Sequence, residues 1–388
     1  MASEKTTKKI QPAQYILLSF LFVILTGTCL LCLPISNVGA RQSFLDNLFI
    51  ATSATCVTGL VPFAVAEQYT MFGQFVILLM IQIGGLGLLT LLLFFAGSIA
   101  NSKMSIRNKG LLVEALNLKS FAGVKSILRN IIKFTAIVEG IGALILFTSI
   151  SKDMELGKAI FTSIFLSISA FCNAGFDNLG STSLIAYQSD PVFCMTIALL
   201  IVIGGLGFTV WFELLGKIVS FVKKKCTWKQ MCKTLSLHTK LVVSLTTLLL
   251  ASGMGMVLVL EWNNLQTLGS MSIVDKIVNA FFTSSTLRTA GFASIDFAGY
   301  TEAMHLIMIA FMFIGGSPGG TAGGIKTTAF ATLMFGTWSF LHGQKKLNIF
   351  KREISYEFVK SSLCIFTAAA FLVFAGTFVL LISDDFTF

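Results

Sequence analysis

Residues 43–60, SFLDNLFIATSATCVTGL, form an apolar stretch rich in Ser and Thr with a glycine one residue from its end. Two more stretches share that character: 157–176, GKAIFTSIFLSISAFCNAGF, and 275–292, DKIVNAFFTSSTLRTAGF. A bilayer span takes about 20 predominantly apolar residues, and these are too short for that and too apolar for ordinary exposed loops. Each reads as a re-entrant segment, a short helix entering the membrane followed by irregular backbone. Such backbone is tolerated at that depth only beside protein or a water-filled cavity. Gly59, Gly175 and Gly291 close the three segments at intervals of 116 and 116 residues. A second signature follows each glycine by 24 to 29 residues: Gly84-Gly85-Leu86-Gly87, Gly204-Gly205-Leu206-Gly207, and Gly315-Gly316-Ser317-Pro318-Gly319. Two signatures recurring in one order at near-constant separation indicate an internal repeat.

Longer apolar runs flank these segments near 15–34, 71–99, 128–151, 191–222, 241–260, 303–341 and 361–383. Each repeat is therefore a span, a re-entrant segment and a span. Of 388 residues, 55 % are hydrophobic and 12 % charged, far from the roughly 25 % charge of soluble domains, so the expected class is an all-α integral membrane protein. The net charge of +10 has a topological reading: residues 1–15, 100–135, 214–240 and 343–360 hold 22 of the 28 Lys and Arg. The positive-inside rule places those segments in the cytoplasm, with the N-terminus inside, in a multi-pass protein of the cell membrane; no nucleic acid is needed to explain the charge. The first run resembles a signal peptide, but its apolar core exceeds the usual 7–15 residues, and the alternation of loops requires it as a span.

The organisation that follows is a cytoplasmic N-terminus at 1–14, pore repeat 1 at 15–99, a cytoplasmic connection at 100–127, and pore repeat 2 at 128–222. A second connection at 223–240 leads to pore repeat 3 at 241–341, whose last span is broken; a third at 342–360 precedes the first span of a fourth repeat at 361–388. Such units around an axis make a pore, because each re-entrant segment brings backbone carbonyls to the centre, where they replace the hydration shell of a small cation. Helix C-terminal ends aimed inward add partial negative charge. Singly, each glycine could simply end a short helix or permit close packing; three in register favour the pore.

The residues Thr52-Ser53-Ala54-Thr55-Cys56-Val57-Thr58-Gly59-Leu60, Ala170-Phe171-Cys172-Asn173-Ala174-Gly175-Phe176, Arg288-Thr289-Ala290-Gly291-Phe292 and the run Gly315 to Thr328 closely resemble the Trk/Ktr/HKT superfamily of potassium transporters, over essentially the whole chain. The short N-terminus is more similar to the KtrB-type membrane subunit than to TrkH. The resemblance implies uptake of K⁺, with Na⁺ as a second candidate cation, and no covalently bound cofactor. It implies a selectivity filter at Val57, Thr58, Gly59, Asn173, Ala174, Gly175, Phe176, Thr289, Ala290, Gly291 and Phe292. It further implies an intramembrane gate at Gly315, Gly316, Ser317, Gly319, Gly320, Thr321, Gly323, Gly324 and Lys326. Homodimerisation and a cytosolic KtrA-type ring of nucleotide-binding regulatory subunits complete the expectation. The family has four repeats, and here the fourth stops after its first span, so truncation of the last quarter is expected.

The run 315–326 nearly satisfies the phosphate-binding pattern G-x-x-x-x-G-K-[ST], but Ile325 separates Gly324 from Lys326 and apolar spans flank it in place of a strand and helix. Six glycines and a proline between 315 and 324 rule out regular helix, since each glycine costs about 1 kcal/mol and a proline about 3. Lys326 is either functional or a snorkelling lysine. Arg288 is expected to brace its segment by pairing with a carboxylate, the alternative being control of cation density. Glu139 and Glu213 read as satisfied structural carboxylates ahead of ion relays, and the glycines at 84–87 and 204–207 as close-packing surfaces. A secondary transporter would show paired halves, and a membrane enzyme would need a clustered acid, base, nucleophile or metal set. His238, His305 and His342 are scattered and the eight cysteines lack metal-ligand spacing, so no enzyme and no transition-metal site is expected.

Overall fold

The computed structural model describes residues 12–39, 41–87, 124–224, 227–344, 348–350 and 352–383. The N-terminal segment up to residue 11, the end of the first inward span with most of the connection at 100–127, Lys225, and the final residues 384–388 lie outside the described residues.

Unit 1 contains α1 (Pro12–Leu31), α2 (Phe44–Cys56), the single turn α3 (Val65–Gln68) and α4 (Met71–Leu86). Unit 2 contains α5 (Val124–Ile150), α6 (Leu156–Cys172), α7 (Pro191–Gly205) and α8 (Phe208–Val222). A short α9 (Trp228–Thr234) leads into unit 3, with α10 (Leu237–Glu261), α11 (Ile273–Thr286), α12 (Glu302–Phe313) and α13 (Thr327–Leu341). A two-residue-strand hairpin, β1 (Asn348–Ile349) with β2 (Arg352–Glu353), precedes α14 (Tyr356–Ser383).

The long helices α5, α10 and α14 have 27, 25 and 28 residues; at 1.5 Å per residue they reach about 37–42 Å, enough for the roughly 30 Å hydrocarbon core. The three short helices α2, α6 and α11 occupy the centre. Their starts are marked locally: Ser43 Oγ accepts from Asp46 N while donating to Asp46 Oδ2, and Ser272 does the same with Asp275. Both satisfy orphan amides of a first turn and place a carboxylate at the positive end of the helix.

Burial inverts the soluble-protein pattern. Ser53, Thr55, Ser163, Ser167, Ser169 and Thr283 of the short helices are buried with Ile50, Phe165, Phe171 and Ile197, whereas α14 buries only Ser362 and exposes a predominantly apolar surface suited to lipid. Small hydroxylated side chains let the central helices approach closely and bond their own preceding turn, as Ser163 Oγ does to Ala159 O at 2.7 Å.

One expectation is corrected. The run 191–222 is not a single straight span: α7 and α8 meet at 101°. Gly207 sits at φ +89, a left-handed conformation open to glycine, and the groups freed by the break find partners. Trp211 Nε1 donates to Ile203 O across it at 2.8 Å, and Phe208 N–H donates to Gly319 O of unit 3 at 3.0 Å. In each unit the helix that follows the short one's turn stops at its glycine signature: α4 at Leu86, α7 at Gly205 and α12 at Phe313. The expected close packing is also there. A Cβ on Gly84 would collide with Thr55 O, one on Gly204 with Phe171 O, and one on Gly85 would lie 2.5 Å from Cys172 Sγ. Overpacking of this kind destabilises by about 1–3 kcal/mol. Gly204→Ala should therefore lower the unfolding temperature of the detergent-solubilised protein, while Gly216→Ala, which has open space around it, should leave it unchanged.

Candidate functional site

The short helices end in one way. α2 and α6 close on left-handed residues, Val57 (φ 59, ψ 49) and Asn173 (φ 59, ψ 39). One residue further on, Thr58 N–H bonds back to Ser53 O at 2.9 Å and Ala174 N–H to Ser169 O at 2.8 Å, the closing bond of a Schellman-type cap. In unit 3 the left-handed residue is Thr289 (φ 67), and Ala290 N–H bonds to Thr286 O at 2.9 Å. Gly59, Gly175 and Gly291 follow at φ +74, +72 and +84. Each segment thus carries left-handed residues at two alternate positions. For a β-branched residue such as Val57 or Thr289 that conformation is strained by about 1–2 kcal/mol, a cost borne only where the surroundings over-determine it.

The three segments come together. A Cβ on Gly59 would lie 2.5 Å from Ala174 O, and one on Gly175 2.5 Å from Ala290 O and 3.0 Å from Gly291 Cα. From Gly291 the nearest atoms are Gly175 Cα at 3.4 Å and Thr58 O at 3.8 Å. The residues preceding the three glycines therefore bring their carbonyl oxygens into one small region, with three helix C-terminal ends behind them. Phe176 and Phe292 are buried outside this cluster, and Phe292 O accepts from Thr286 Oγ1 at 2.8 Å. The chemistry of such a cluster is neutral oxygen ligation, suited to a dehydrated monovalent cation.

Residues 314–326 form an irregular loop against it. Gly315 N–H donates to Ile325 O (3.1 Å), Gly316 N–H to Gly323 O (3.2 Å) and Gly320 N–H to Ser317 O (3.1 Å). The loop leans on the broken span of unit 2 through Ser317 N–H to Gly205 O (2.9 Å) and Thr321 N–H to Gly204 O (3.1 Å). Gly319 and Gly324 are left-handed. Lys326 Nζ folds back on the loop, donating to Ala322 O at 2.7 Å. Beside Thr289 and Gly324, between α12 and α14, lies an apolar cavity of about 450 Å³ lined also by Phe313, Ile365 and Val373.

Arg288 departs from expectation: it is 2 % exposed, and its Nε and Nη2 find no acceptor, carboxylate or otherwise, among the described residues. Glu139 accepts from Gln82 Nε2 at 3.1 Å, and its backbone carbonyl from Ser167 Oγ at 2.7 Å. Glu213 accepts from Ser236 N, Ser236 Oγ and Thr239 Oγ1 at 2.6, 2.6 and 2.5 Å; both carboxylates are embedded in protein contacts. Two features escape a reading of the sequence, the left-handed residues ahead of each glycine and the break after Gly205. The second had a visible signal, since Gly204-Gly205-Leu206-Gly207 stands in unit 2 where the glycine run that breaks the last span stands in unit 3.

Repeated units that carry short helices and left-handed glycine turns to a common centre define a helical membrane transport protein. The TrkH family of cation transport proteins matches residues 4–386, and the chain belongs to that family, as its motifs implied. It is 37 % identical over 377 residues to the Ktr system potassium uptake protein B of Bacillus subtilis, covering 97 % of this chain and 81 % of that one. It is 38 % identical over 383 residues to the potassium/sodium uptake protein NtpJ of Enterococcus hirae, covering 98 % and 81 %. The crystal structure of the potassium transporter TrkH from Vibrio parahaemolyticus superposes with a TM-score of 0.68 at 18 % identity, over 98 % of this chain and 74 % of that one; that likeness concerns the fold.

Proposed function

We propose that the protein takes up K⁺ through a channel-like path along the centre where Gly59, Gly175 and Gly291 meet, with Val57 to Gly59, Asn173 to Phe176 and Thr289 to Phe292 as the selectivity filter. The observation that carries this reading is the convergence of three left-handed glycine segments, with the carbonyls of Thr58, Ala174 and Ala290 in one small region. The relatives named for potassium uptake and for potassium/sodium uptake support a monovalent cation. The loop at 315–326 is the gate: its backbone is irregular at membrane depth, few side chains hold it, and Lys326 puts a positive charge where a cation would pass. The protein works as a homodimer, its gate set by a KtrA-type cytosolic ring of nucleotide-binding subunits that docks on the basic side.

The decisive experiment is cation uptake by the full gene product in a bacterial strain lacking its own potassium uptake systems. Growth at low K⁺ and ⁸⁶Rb⁺ accumulation are expected; absence of both, with the protein present in the membrane at normal level, would overturn the reading. The proposed orientation has its own test. Single cysteines replacing Lys229 and Asp153, in a background without the native cysteines, should react with a membrane-impermeant maleimide only from the inside and only from the outside respectively. Labelling of both from one side would refute the topology.

A further inference from the structure

Two of the three central segments are tied by side chains to the glycine-rich loop beside them. Asn173 Nδ2 donates to Thr321 Oγ1 at 2.6 Å, and that hydroxyl donates onward to Phe171 O at 2.9 Å. Thr321 therefore closes the end of α6 and holds the side chain of a left-handed residue. In unit 3, Gly323 N–H donates to Thr289 Oγ1 at 2.8 Å, and Thr289 is again left-handed. The loop's other bonds out of unit 3 end on the break in unit 2, at Gly204, Gly205 and Phe208. Its two side-chain ties thus fall on two of the three left-handed residues that set the direction of the carbonyls that follow.

Strain of this kind persists because neighbouring contacts over-determine it. When the loop leaves its place, the Asn173 amide loses its short bond to Thr321 Oγ1 and keeps only the long one to Phe171 O at 3.4 Å, while its oxygen, Oδ1, is already buried without a partner. Thr289 loses its donor in the same movement. A buried polar group left unsatisfied is penalised more than the bond itself was worth, which gives the segment of the buried Asn173 a reason to relax; the more exposed Thr289 loses the bond that ties its segment to the loop. Loop position and segment geometry are then a single equilibrium, and coupling between them is reciprocal.

We propose that Thr321 and Thr289 are positioning residues that lock the loop to the cation-coordinating segments, so that displacing the loop relaxes cation discrimination and occupancy of the segments by K⁺ holds the loop closed. This rests on the permeation path proposed above. Asn173 is the third member of the lock, and its backbone conformation is the quantity under control.

The test uses the full gene product in proteoliposomes, with two readouts. The first is the ratio of K⁺ to Na⁺ uptake for the wild type, Thr321→Val, Thr321→Ser, Thr289→Val and Thr289→Ser. Each valine keeps the shape and loses the hydroxyl, and should lower the ratio about five-fold, the factor that corresponds to one hydrogen bond of ordinary net strength; each serine should restore it. Valine variants that change both fluxes equally, with the ratio intact, would overturn the coupling, as would serine variants that behave like valine. The second readout is hydrogen–deuterium exchange of residues 315–326 in the wild type, which needs no variant to fold. Exchange should be slower in K⁺ than in Na⁺ at equal ionic strength, and the difference should vanish in the valine variants. Equal exchange of the wild type in the two salts would also overturn the coupling. A wild type that carries neither cation would instead refute the permeation path, and the two failures are distinct.

Discussion

Excising residues 317–322 is expected to raise K⁺ flux at least about ten-fold and to make it nearly independent of a cytosolic partner. The excision is geometrically mild. Gly316 N–H already donates to Gly323 O at 3.2 Å, so the cut ends lie in hydrogen-bond contact and a small local adjustment rejoins them. What is removed is the part of the loop that lies against Gly204, Gly205 and Asn173. If that part obstructs the path, a barrier of even 1.4 kcal/mol to ion passage accounts for a factor of ten, and a loop filling the path should present more. Lys326 remains but loses Ala322, the acceptor that holds its ammonium, and becomes free to swing aside. The check is ⁸⁶Rb⁺ flux into proteoliposomes with and without the regulatory subunit. Flux falling to background in a protein that still elutes as the wild type does on size exclusion would mean that the loop is structural. Because the excision also removes Thr321, its K⁺/Na⁺ ratio should fall with the gain in flux.

The second large effect is graded across the three glycines. Gly59→Ser and Gly175→Ser should reduce K⁺/Na⁺ discrimination about ten-fold or more, whereas Gly291→Ser should be milder. All three residues are left-handed, so each substitution pays the same backbone strain of about 1–2 kcal/mol. They differ in space. A new Cβ at 59 or 175 would sit 2.5 Å from the carbonyl oxygen of Ala174 or Ala290, forcing aside the atoms expected to hold the ion, while at 291 the nearest atom is 3.4 Å away and no oxygen comes closer than 3.8 Å. Gly343→Ser separates strain from crowding: Gly343 is also left-handed, at φ +64, with nothing near its missing Cβ, and this change should leave selectivity alone. Reversal potentials under mixed K⁺ and Na⁺ would read the series. Equal loss at 59, 175 and 291 would show that strain alone matters, and unchanged selectivity in all three would remove these segments from the path.

Several features were legible because they are local or periodic. Apolar length against bilayer thickness is a one-dimensional property, and it located the spans and the three segments too short to be spans. The 116-residue register of Gly59, Gly175 and Gly291 is likewise written along the chain, and so is the basic bias of alternate connections. The glycine run at 315–324 excluded helix on propensity alone, and the structure indeed interrupts the chain between α12 and α13.

Other features depend on what meets what in space. The bend after Gly205 arises because unit 3 supplies Gly319 O and the amides of Ser317 and Thr321 as partners for backbone groups that a continuous helix would have satisfied itself. No inspection of 191–222 alone contains those partners. Arg288 was expected to find a carboxylate, yet pairing depends on which side chains the packing presents, and the described residues present none to its Nε and Nη2. Left-handed Val57 and Thr289 run against intrinsic preference; they are held by the caps and close contacts of the centre, and Thr289 also by Gly323. The sequence by itself determined a membrane protein of repeated span and short-helix units, because hydrophobic length, glycine content and charge act residue by residue. Only the tertiary structure decided that three distant turns share one centre, and that Asn173 and Thr289 are bonded to a loop as many as 148 residues away. Hydrogen-bond partners and steric gaps are properties of pairs of groups, and pairs exist only once the chain has folded.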